Sequence, residues 1–438
     1  MKIINISHKV QLKPNNKAKS HFKKAFGCAR LAYNWGLARW NEEYKKGNKV
    51  TTNKLNTEFN AIKKEQFPFV MKVSKYATQQ PFRNLKYAFN NFFRDLKKGK
   101  VSYPKFKKKR ENSGSFHLGG DVVKVKDEKY LQVPKLGLVK MREKLRFQGK
   151  ILSVTISQKA DKYYASFSME ITQEEYNRTH KKVKHNNSVV GIDLGISNFL
   201  SLSNGLQIQA PKPLDKLNRL LVKRQRQLSK KQHPKTKDDV KKGVKKSNSY
   251  LKATIKLNKV YTKITNIRKD FLHKVTSHIV RNYDYIGLED LNVSGMVKNH
   301  KLARSLSDVS FYEFNRMLEY KAGYNNKKQM IYRADRFYPS SKTCSKCGSV
   351  KKDLKLSDRT YRCDECGYIV DRDLNAAINL HKFIEKEIGR VDTKFTPVDL
   401  TALLDDLAIN QIATSKVVKQ EYNINLIRFY KFVATGMI

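Results

Sequence analysis

The sequence predicts an α/β protein of several domains, organised around a mixed sheet with flanking helices. Three observations indicate this class. Two buried strand patterns that contain glycine, VVGIDLG and IGLE, alternate with long helical patterns over residues 188–336. Short alternating strand patterns fill much of residues 101–180. Two Cys-x-x-Cys pairs lie within residues 337–370, with a spacing typical of a four-thiolate metal ribbon.

The 438-residue chain is strongly basic, because 90 Lys and Arg outnumber 39 Asp and Glu and give a formal net charge of +51. This charge is spread along the whole chain and attracts polyanions, so nucleic acid is the expected partner. A membrane surface is the rival, but no basic amphipathic helix stands out as an anchor. The chain begins without a signal-peptide pattern and has no apolar run of membrane-spanning length. We expect a cytoplasmic, nucleoid-associated protein, either a monomer or a dimer, that does not bind membranes.

The N-terminal part predicts a helical subdomain inserted into a small β-barrel. Residues 1–13 alternate as an opening strand, and this strand can complete the barrel formed by residues 101–180. Residues 14–100 carry apolar side chains at helical spacing. Their polar positions mix basic and aromatic residues, which suits nucleic acid because rings stack on bases while cations hold phosphates. An ordinary helical core with solvated lysines is the alternative for any single residue.

The mixed-sheet domain is predicted for residues 188–336 and 371–385. Asp193 lies in one buried strand and Glu289 at the end of another. A charged carboxylate in such a position is costly unless it is paired or binds a metal, so a salt bridge is the alternative for Asp193. We also expect long basic helices before the second strand, and a single helix over residues 307–322 after it.

Residues 337–370 predict a zinc ribbon. Cys344 and Cys347 form one Cys-x-x-Cys pair, and Cys363 and Cys366 form the other. A glycine follows each pair and permits a tight turn of the backbone around a metal. Four thiolates suit one structural Zn²⁺. Disulfides are the alternative, and the reducing compartment that we expect argues against them.

Three acid sites follow one another along the chain: Asp193, Glu289 and the Asp371-Arg-Asp373 motif, which begins an Ala-rich helix. Alone, the aspartates of that motif would be helix caps. Together, the three sites have the chain order of an RNase H-like fold, in which carboxylates hold two divalent ions about 4 Å apart. Oxygen ligands select Mg²⁺ or Mn²⁺. The pattern therefore predicts two-metal hydrolysis of a phosphodiester.

Five stretches together resemble the TnpB family of transposon-encoded RNA-guided nucleases, and the miniature type V CRISPR effectors related to it. The stretches are GIDLGISNFLSLSNG, IGLEDLNVSGM, SSKTCSKCG, YRCDECG and DRDLNAAINL. The resemblance is strongest over residues 188–382, and it assigns no role to residues 386–438. It implies a RuvC-like nuclease domain with the zinc ribbon inserted before its last acidic motif.

The resemblance also implies the roles of individual residues. Asp193, Glu289 and Asp373 would be catalytic and would bind the magnesium ions, with Asp371 as the alternative third acid. A guide RNA would be a cofactor and double-stranded DNA the substrate. The β-barrel would be a wedge domain and its inserted helices a recognition subdomain, which together recognise a short motif that flanks the target, while base pairing recognises the rest. Over a short stretch, three residues match the part of the family that contacts this motif: Lys75, Tyr76 and Gln80.

Three other functions remain as alternatives. A guided DNA-binding repressor would bind without cleavage, and the presence of all three acids counts against it. A conventional transposase would need a module that binds transposon ends, and we identify no helix-turn-helix pattern. A miniature CRISPR effector is not distinguished by the sequence. The neighbouring DNA, either an array of repeats or a transposon end, would decide that last question.

Overall fold

The structure is a computed structural model that describes residues 2–109, 112–180, 188–236, 238–239, 242–324, 330–355 and 357–389. It contains two compact units. The first is Met1–Lys181 with Arg224–Thr262, and the second is Lys182–Lys223 with Lys263–Ile438. Part of the predicted mixed-sheet domain, residues 224–262, therefore groups with the first unit. The predicted C-terminal segment, residues 386–438, lies outside the described residues from residue 390 onward.

A seven-stranded antiparallel sheet forms the centre of the first unit. Its strands are β1 Ile3–Lys13, β2 Ser113–Gly119, β3 Lys124–Lys126, β4 Tyr130–Val133, β5 Gly137–Met141, β6 Lys150–Lys159 and β7 Lys162–Thr172. The order across the sheet is β2-β6-β7-β1-β5-β4-β3, so the opening strand β1 lies between β7 and β5. Within the described residues no pairing joins the edge strands β2 and β3. Closure of this sheet into a barrel therefore stays a prediction.

In the N-terminal segment of the first unit, three α-helices lie between β1 and β2 in the chain and one short α-helix follows β7. They are α1 Asn16–Lys45, α2 Thr52–Gln66, α3 Lys75–Leu96 and α4 Gln173–Thr179. Asn15 caps α1 by accepting a hydrogen bond from the backbone N–H of Ala18 at 2.8 Å. Trp40 of α1 stacks on Phe89 of α3 with ring centroids 4.0 Å apart. Aromatic packing of this kind joins the long helices.

The second unit contains a mixed five-stranded sheet. Its strands are β8 Val189–Asp193, β9 Leu200–Leu202, β10 Gln207–Ile208, β11 Tyr285–Glu289 and β12 Ile331–Ala334. The order is β10-β9-β8-β11-β12. Strand β9 is antiparallel to both of its neighbours, β8 and β10, whereas β11 is parallel to both β8 and β12. The carboxyl ends of β8, β11 and β12 consequently meet at one edge of the sheet.

Helices and a small hairpin complete the chain. They are α5 Pro213–Lys216, α6 Asn218–Ser229, α7 Asn248–Asn282, α8 Val293–Met296, α9 His300–Val309, α10 Phe311–Tyr324, β13 Thr360–Arg362, β14 Ile369–Asp371 and α11 Arg372–Glu387. The single helix predicted over residues 307–322 is wrong, because Ser310 separates α9 from α10. Its φ of 58° is left-handed and ends α9. Among the helices that the structure describes, none has the length and apolar character that a membrane span requires.

Helix α11 packs directly on β8 and β11 through two glycines. A Cβ atom at Gly191 would lie 2.0 Å from the carbonyl oxygen of Ala377, and one at Gly287 would lie 2.9 Å from that of Leu380. Gly191 and Gly287 are opposite each other in the parallel pairing of β8 with β11. Each lies two residues before the last residue of its strand, and therefore on the same face as that residue. Glycine at both positions lets α11 approach this face closely.

Candidate active site

Asp193 and Glu289 end neighbouring parallel strands. Leu288 lies opposite Ile192 in the pairing of β11 with β8, so the next position along each strand places Glu289 beside Asp193. Burial raises the pKa of Asp193 well above its usual range, and the negative charges of Glu289 and Asp373 raise it further. The ends of the two strands, where Asp193 and Glu289 are half-buried, therefore bring negative charges close together. A bound cation would relieve this repulsion.

Asp371 and Asp373 have different structural roles at the N-terminus of α11. Asp371 is the N-cap of α11, because its Oδ1 accepts hydrogen bonds from the backbone N–H groups of Asp373 at 3.0 Å and Leu374 at 3.1 Å. The same oxygen accepts a bond from Gln207 Nε2 at 3.0 Å. Asp373 is buried, and its pKa is raised by that burial and then by the charge of Asp371. The Asp373 carboxylate does not accept either of the capping hydrogen bonds. It raises the pKa of Asp193 more than Asp371 does.

The three acids are gathered less tightly than the cysteines. Within the described ranges, only the cysteines form a group of three or more whose ligand atoms all lie within 4.8 Å of one another. A single ion would require the carboxylate oxygens of Asp193, Glu289 and Asp373 to be equally close. Among the described residues, the three carboxylates therefore do not form a close single-ion group of the kind that the four thiolates form.

Glu289 is also held by a segment that we call the linking loop, residues 335–343, which runs from β12 towards the first cysteine. The Ser340 hydroxyl in this loop donates a hydrogen bond to Glu289 Oε1. Asn379 of α11 donates from Nδ2 to the carbonyl oxygens of Ser340 and Thr343, at 2.7 Å in each case. Ser340 and Asn379 were not predicted to be functional. Both are 3% exposed, so the amide of Asn379 fixes a buried turn against the acid site.

The predicted ribbon brings its cysteine side chains together. Two sulfur pairs, Cys347 with Cys363 and Cys344 with Cys366, are 3.5 and 3.7 Å apart. These distances are too long for disulfides. They approach the separation of about 3.8 Å that tetrahedral Zn–S bonds of about 2.3 Å impose. The backbone N–H of Cys366 donates to the sulfur of Cys363 and, with other donors, lowers the pKa of that thiol to about 6. The pKa of Cys347 is also lowered, whereas those of Cys344 and Cys366 are raised, so the support for a metal site is the close approach of the four sulfurs.

The turns of the ribbon use the predicted glycines. Gly348 and Gly367 have φ of 82° and 65°, a left-handed conformation that glycine adopts without strain. Asn375 of α11 accepts a bond from the Ser345 N–H at 2.9 Å and donates to the Thr343 carbonyl at 2.7 Å. The helix that begins at the acid site therefore also supports the first cysteine turn.

The three residues predicted to contact nucleic acid lie in the first turns of α3, in the other unit. Lys75 is exposed, and its ammonium lies 5.2 Å from the ring centroid of Tyr76. The Tyr76 hydroxyl bonds to the Asp121 carboxylate at 2.7 Å, so its polar end already has a protein partner. Gln80 Nε2 donates a weak bond of 3.4 Å to Asn84. Their role in nucleic-acid binding stays a prediction.

Three family models match this chain. One described as "Probable transposase" (OrfB_IS605) matches residues 166–300, and one described as "Cas12f1-like, TNB domain" matches residues 311–380. A third, "Helix-turn-helix domain" (HTH_OrfB_IS605), matches residues 1–49, where we identified no such pattern in the sequence. The structure there consists of strand β1 followed by the single 30-residue helix α1.

Two curated relatives match most of the chain. The "Putative RNA-guided DNA endonuclease" of Streptomyces pristinaespiralis is 32% identical over 393 residues, which cover 87% of this chain and 89% of the relative. The "Putative RNA-guided DNA endonuclease InsQ" of Escherichia coli (strain K12) is 30% identical over 389 residues, which cover 85% and 90%. A solved cryo-EM structure, the Cas12f1-sgRNA-target DNA complex, is 16% identical and covers 86% of this chain and 99% of its own. Its TM-score of 0.30 is too low to carry an argument.

Proposed function

The chain belongs to the TnpB family, and on that premise we propose that it is an RNA-guided DNA endonuclease that cuts its target at the acid site of Asp193, Glu289 and Asp373. One observation carries this proposal beyond the family. Asp193 and Glu289 end neighbouring parallel strands, and the charges of Glu289 and Asp373, both far from Asp193 in the sequence, raise the pKa of Asp193. Such a cluster of carboxylates is what metal-dependent hydrolysis of a phosphodiester requires.

The strand order supports an RNase H-like assignment of the nuclease domain. Three antiparallel strands are followed by two parallel ones, and α11 covers the face that carries the acids. We propose that the domains are the following: wedge, residues 1–13 and 101–180; recognition subdomain, 14–100; nuclease, 188–336 and 371–385; zinc ribbon, 337–370. The position of β1 inside the seven-stranded sheet supports the first two of these ranges.

The residues of the acid site would hold two Mg²⁺ or Mn²⁺ ions. When bound, the ions would supply an activated water and would stabilise the leaving oxygen of the cut strand. Asp193 lies beside Glu289, and the charge of Asp373 raises its pKa, so these three carboxylates would hold the ions together. Ser340 restrains the carboxylate of Glu289. Asp371 fixes the start of the helix that carries Asp373.

The net charge of the chain and its family membership indicate the nucleic-acid partners, and the ribbon cysteines indicate the zinc ion. A net charge of +51 favours binding of a polyanion, and a guide RNA together with a double-stranded DNA target would supply one. Lys75, Tyr76 and Gln80 would help to recognise the flanking motif. One structural Zn²⁺ would be held by the four ribbon cysteines, whose geometry suits it.

A miniature CRISPR effector is the second candidate, favoured by the match of residues 311–380 to the Cas12f1-like TNB model. The two candidates differ in the source of the guide. We propose to purify the protein from its native operon and to sequence the RNA that accompanies it. A single RNA that ends in sequence flanking a transposon end supports the TnpB-type function, and one that contains array repeats supports the CRISPR alternative. Recovery of random RNA alone would remove the guided mechanism.

A further inference from the structure

Among the large apolar side chains that the structure describes, Phe337 is the most exposed, at 88%. Single exposed aromatics are common and need no explanation by themselves. The position of this one is distinctive, because it lies in the linking loop, three residues before Ser340. The same loop contacts the acid-bearing end of β11 on both sides of Phe337.

On the N-terminal side, the loop is tied to the residue that follows Glu289. The Arg336 guanidinium pairs with the Asp290 carboxylate at 2.6 Å. The backbone N–H of Phe337 donates to the side chain of Asp335 at 2.9 Å, so the turn is closed locally. The backbone of Phe337 is therefore held while its ring remains in solvent.

On the C-terminal side, the next residues turn inward. The Tyr338 ring packs against Phe383 of α11 with centroids 5.6 Å apart, and its hydroxyl donates to the carbonyl of Asn379 at 3.3 Å. Ser340 is buried and bonds to Glu289. Of these two adjacent aromatic residues, Tyr338 fixes the loop against α11, whereas the side chain of Phe337 is exposed to solvent. A partner outside the chain would explain this division.

The distance from Phe337 to the acid site is short. Ser340 is the third residue after Phe337, so their Cα atoms lie within about 11 Å of each other even if the chain is fully extended. The ring is therefore within reach of a DNA strand whose phosphate lies at Glu289. A strand that is cut after the duplex has opened has unpaired bases, and an exposed aromatic ring can stack on any of them.

We propose that Phe337 stacks on an unpaired base of the DNA strand that is cut, and so positions that strand at the acid site without recognising its sequence. This inference rests on the proposed endonuclease function. The surroundings favour DNA over a second protein chain, because the residues next to the ring, Asp335, Arg336 and Pro339, are exposed and two of them are charged. A protein-docking surface would need a continuous apolar patch.

The test compares Phe337→Ala, Phe337→Trp and a matched control, Tyr312→Ala, which removes an aromatic that is 71% exposed in the same unit. Single-turnover cleavage is measured for each guide complex. In parallel, 2-aminopurine is placed along the target strand, and its quenching by stacking is recorded in an Asp193→Ala background. We expect Phe337→Ala to slow cleavage by about tenfold and to abolish quenching at one position, whereas Phe337→Trp and the control preserve both.

The other outcomes distinguish failure of the stacking role from failure of the endonuclease function. If the parental complex cleaves but Phe337→Ala cleaves and quenches like it, the stacking role is wrong and the endonuclease function stands. If the parental complex does not cleave guided DNA, the function and the inference fall together. If Phe337→Ala changes the oligomeric state on gel filtration and leaves quenching intact, the ring contacts protein and the inference is overturned.

Discussion

The Ser340 hydroxyl donates a hydrogen bond to the carboxylate of Glu289, and this bond connects the approach to the zinc ribbon with the acid site. The connection continues through Asn379, whose amide holds the carbonyls of Ser340 and Thr343. Because Asn379 lies on the same helix as Asp373, one helix supports two of the three proposed catalytic acids. The segment that leads into the ribbon therefore contacts the acid site directly.

The aspartates of the Asp371-Arg-Asp373 motif can be separated by substitution. We expect Asp373→Asn to lower the rate of guided DNA cleavage by at least about a hundredfold, because it removes a charged oxygen ligand. Asp371→Asn should keep most activity and stability, since asparagine caps helices as well as aspartate does. Cleavage rates and thermal unfolding of both variants check this. The opposite ranking of the two rates would make Asp371 the third acid.

Ser340→Ala is expected to reduce cleavage by about tenfold, because Glu289 loses a charge-assisted hydrogen bond that restrains it. The apparent affinity for Mn²⁺ should fall as well, which titration calorimetry measures. Ser341→Ala is the matched control, since its side chain is adjacent but no bond from it to an acid is present in the described residues. Equal cleavage rates and Mn²⁺ affinities in the two variants would show that the Ser340 hydrogen bond does not contribute to function.

Loss of zinc should disturb the acid site, because the linking loop connects the ribbon to Glu289. Cys363→Ser is expected to remove bound zinc, to lower the unfolding temperature and to reduce cleavage, because a structural zinc site stabilises its fold directly. Metal analysis by mass spectrometry and calorimetric unfolding provide the measurements. Cys28→Ala is the control, because Cys28 is a buried cysteine in α1 and should leave one zinc per chain in place. A Cys363→Ser protein with full zinc content contradicts the ribbon assignment.

Gly191 tests how closely α11 must approach the sheet. A Cβ at this position would lie 2.0 Å from the Ala377 carbonyl and 2.4 Å from the His381 nitrogen, so Gly191→Ala must push the helix outward. We expect a loss of about 1–3 kcal/mol in unfolding free energy and slower cleavage, as Asp373 moves with the helix. Gly27→Ala in α1 has no heavy atom within 4 Å of the new Cβ and should be neutral or stabilising. Chemical denaturation compares the two.

The parts of the site that were predictable are those with a local signal. An apolar strand that ends in an acid identifies Asp193 and Glu289, and the cysteine spacing identifies the ribbon, because each pattern lies within a few residues. The structure confirms the strands and the gathering of the cysteines.

The parts that were missed depend on contacts between distant residues. Ser340 meets Glu289 across 51 positions of the chain, and nothing near either residue indicates the pairing. The cap made by Asp371 is local, but the influence of Asp373 on Asp193 appears only when α11 is placed on the sheet. The break at Ser310 was missed because a left-handed turn at serine lacks the glycine or asparagine that usually marks it.

Cleavage of a plasmid that carries the guide-matched target and its flanking motif tests the central claim most directly. The parental protein with its RNA should cut this plasmid when Mg²⁺ is added and should leave it intact in EDTA. Asp193→Ala, which removes the carboxylate that lies beside Glu289, should not cut it. Cutting by Asp193→Ala at the parental rate would contradict the assignment of the acid site.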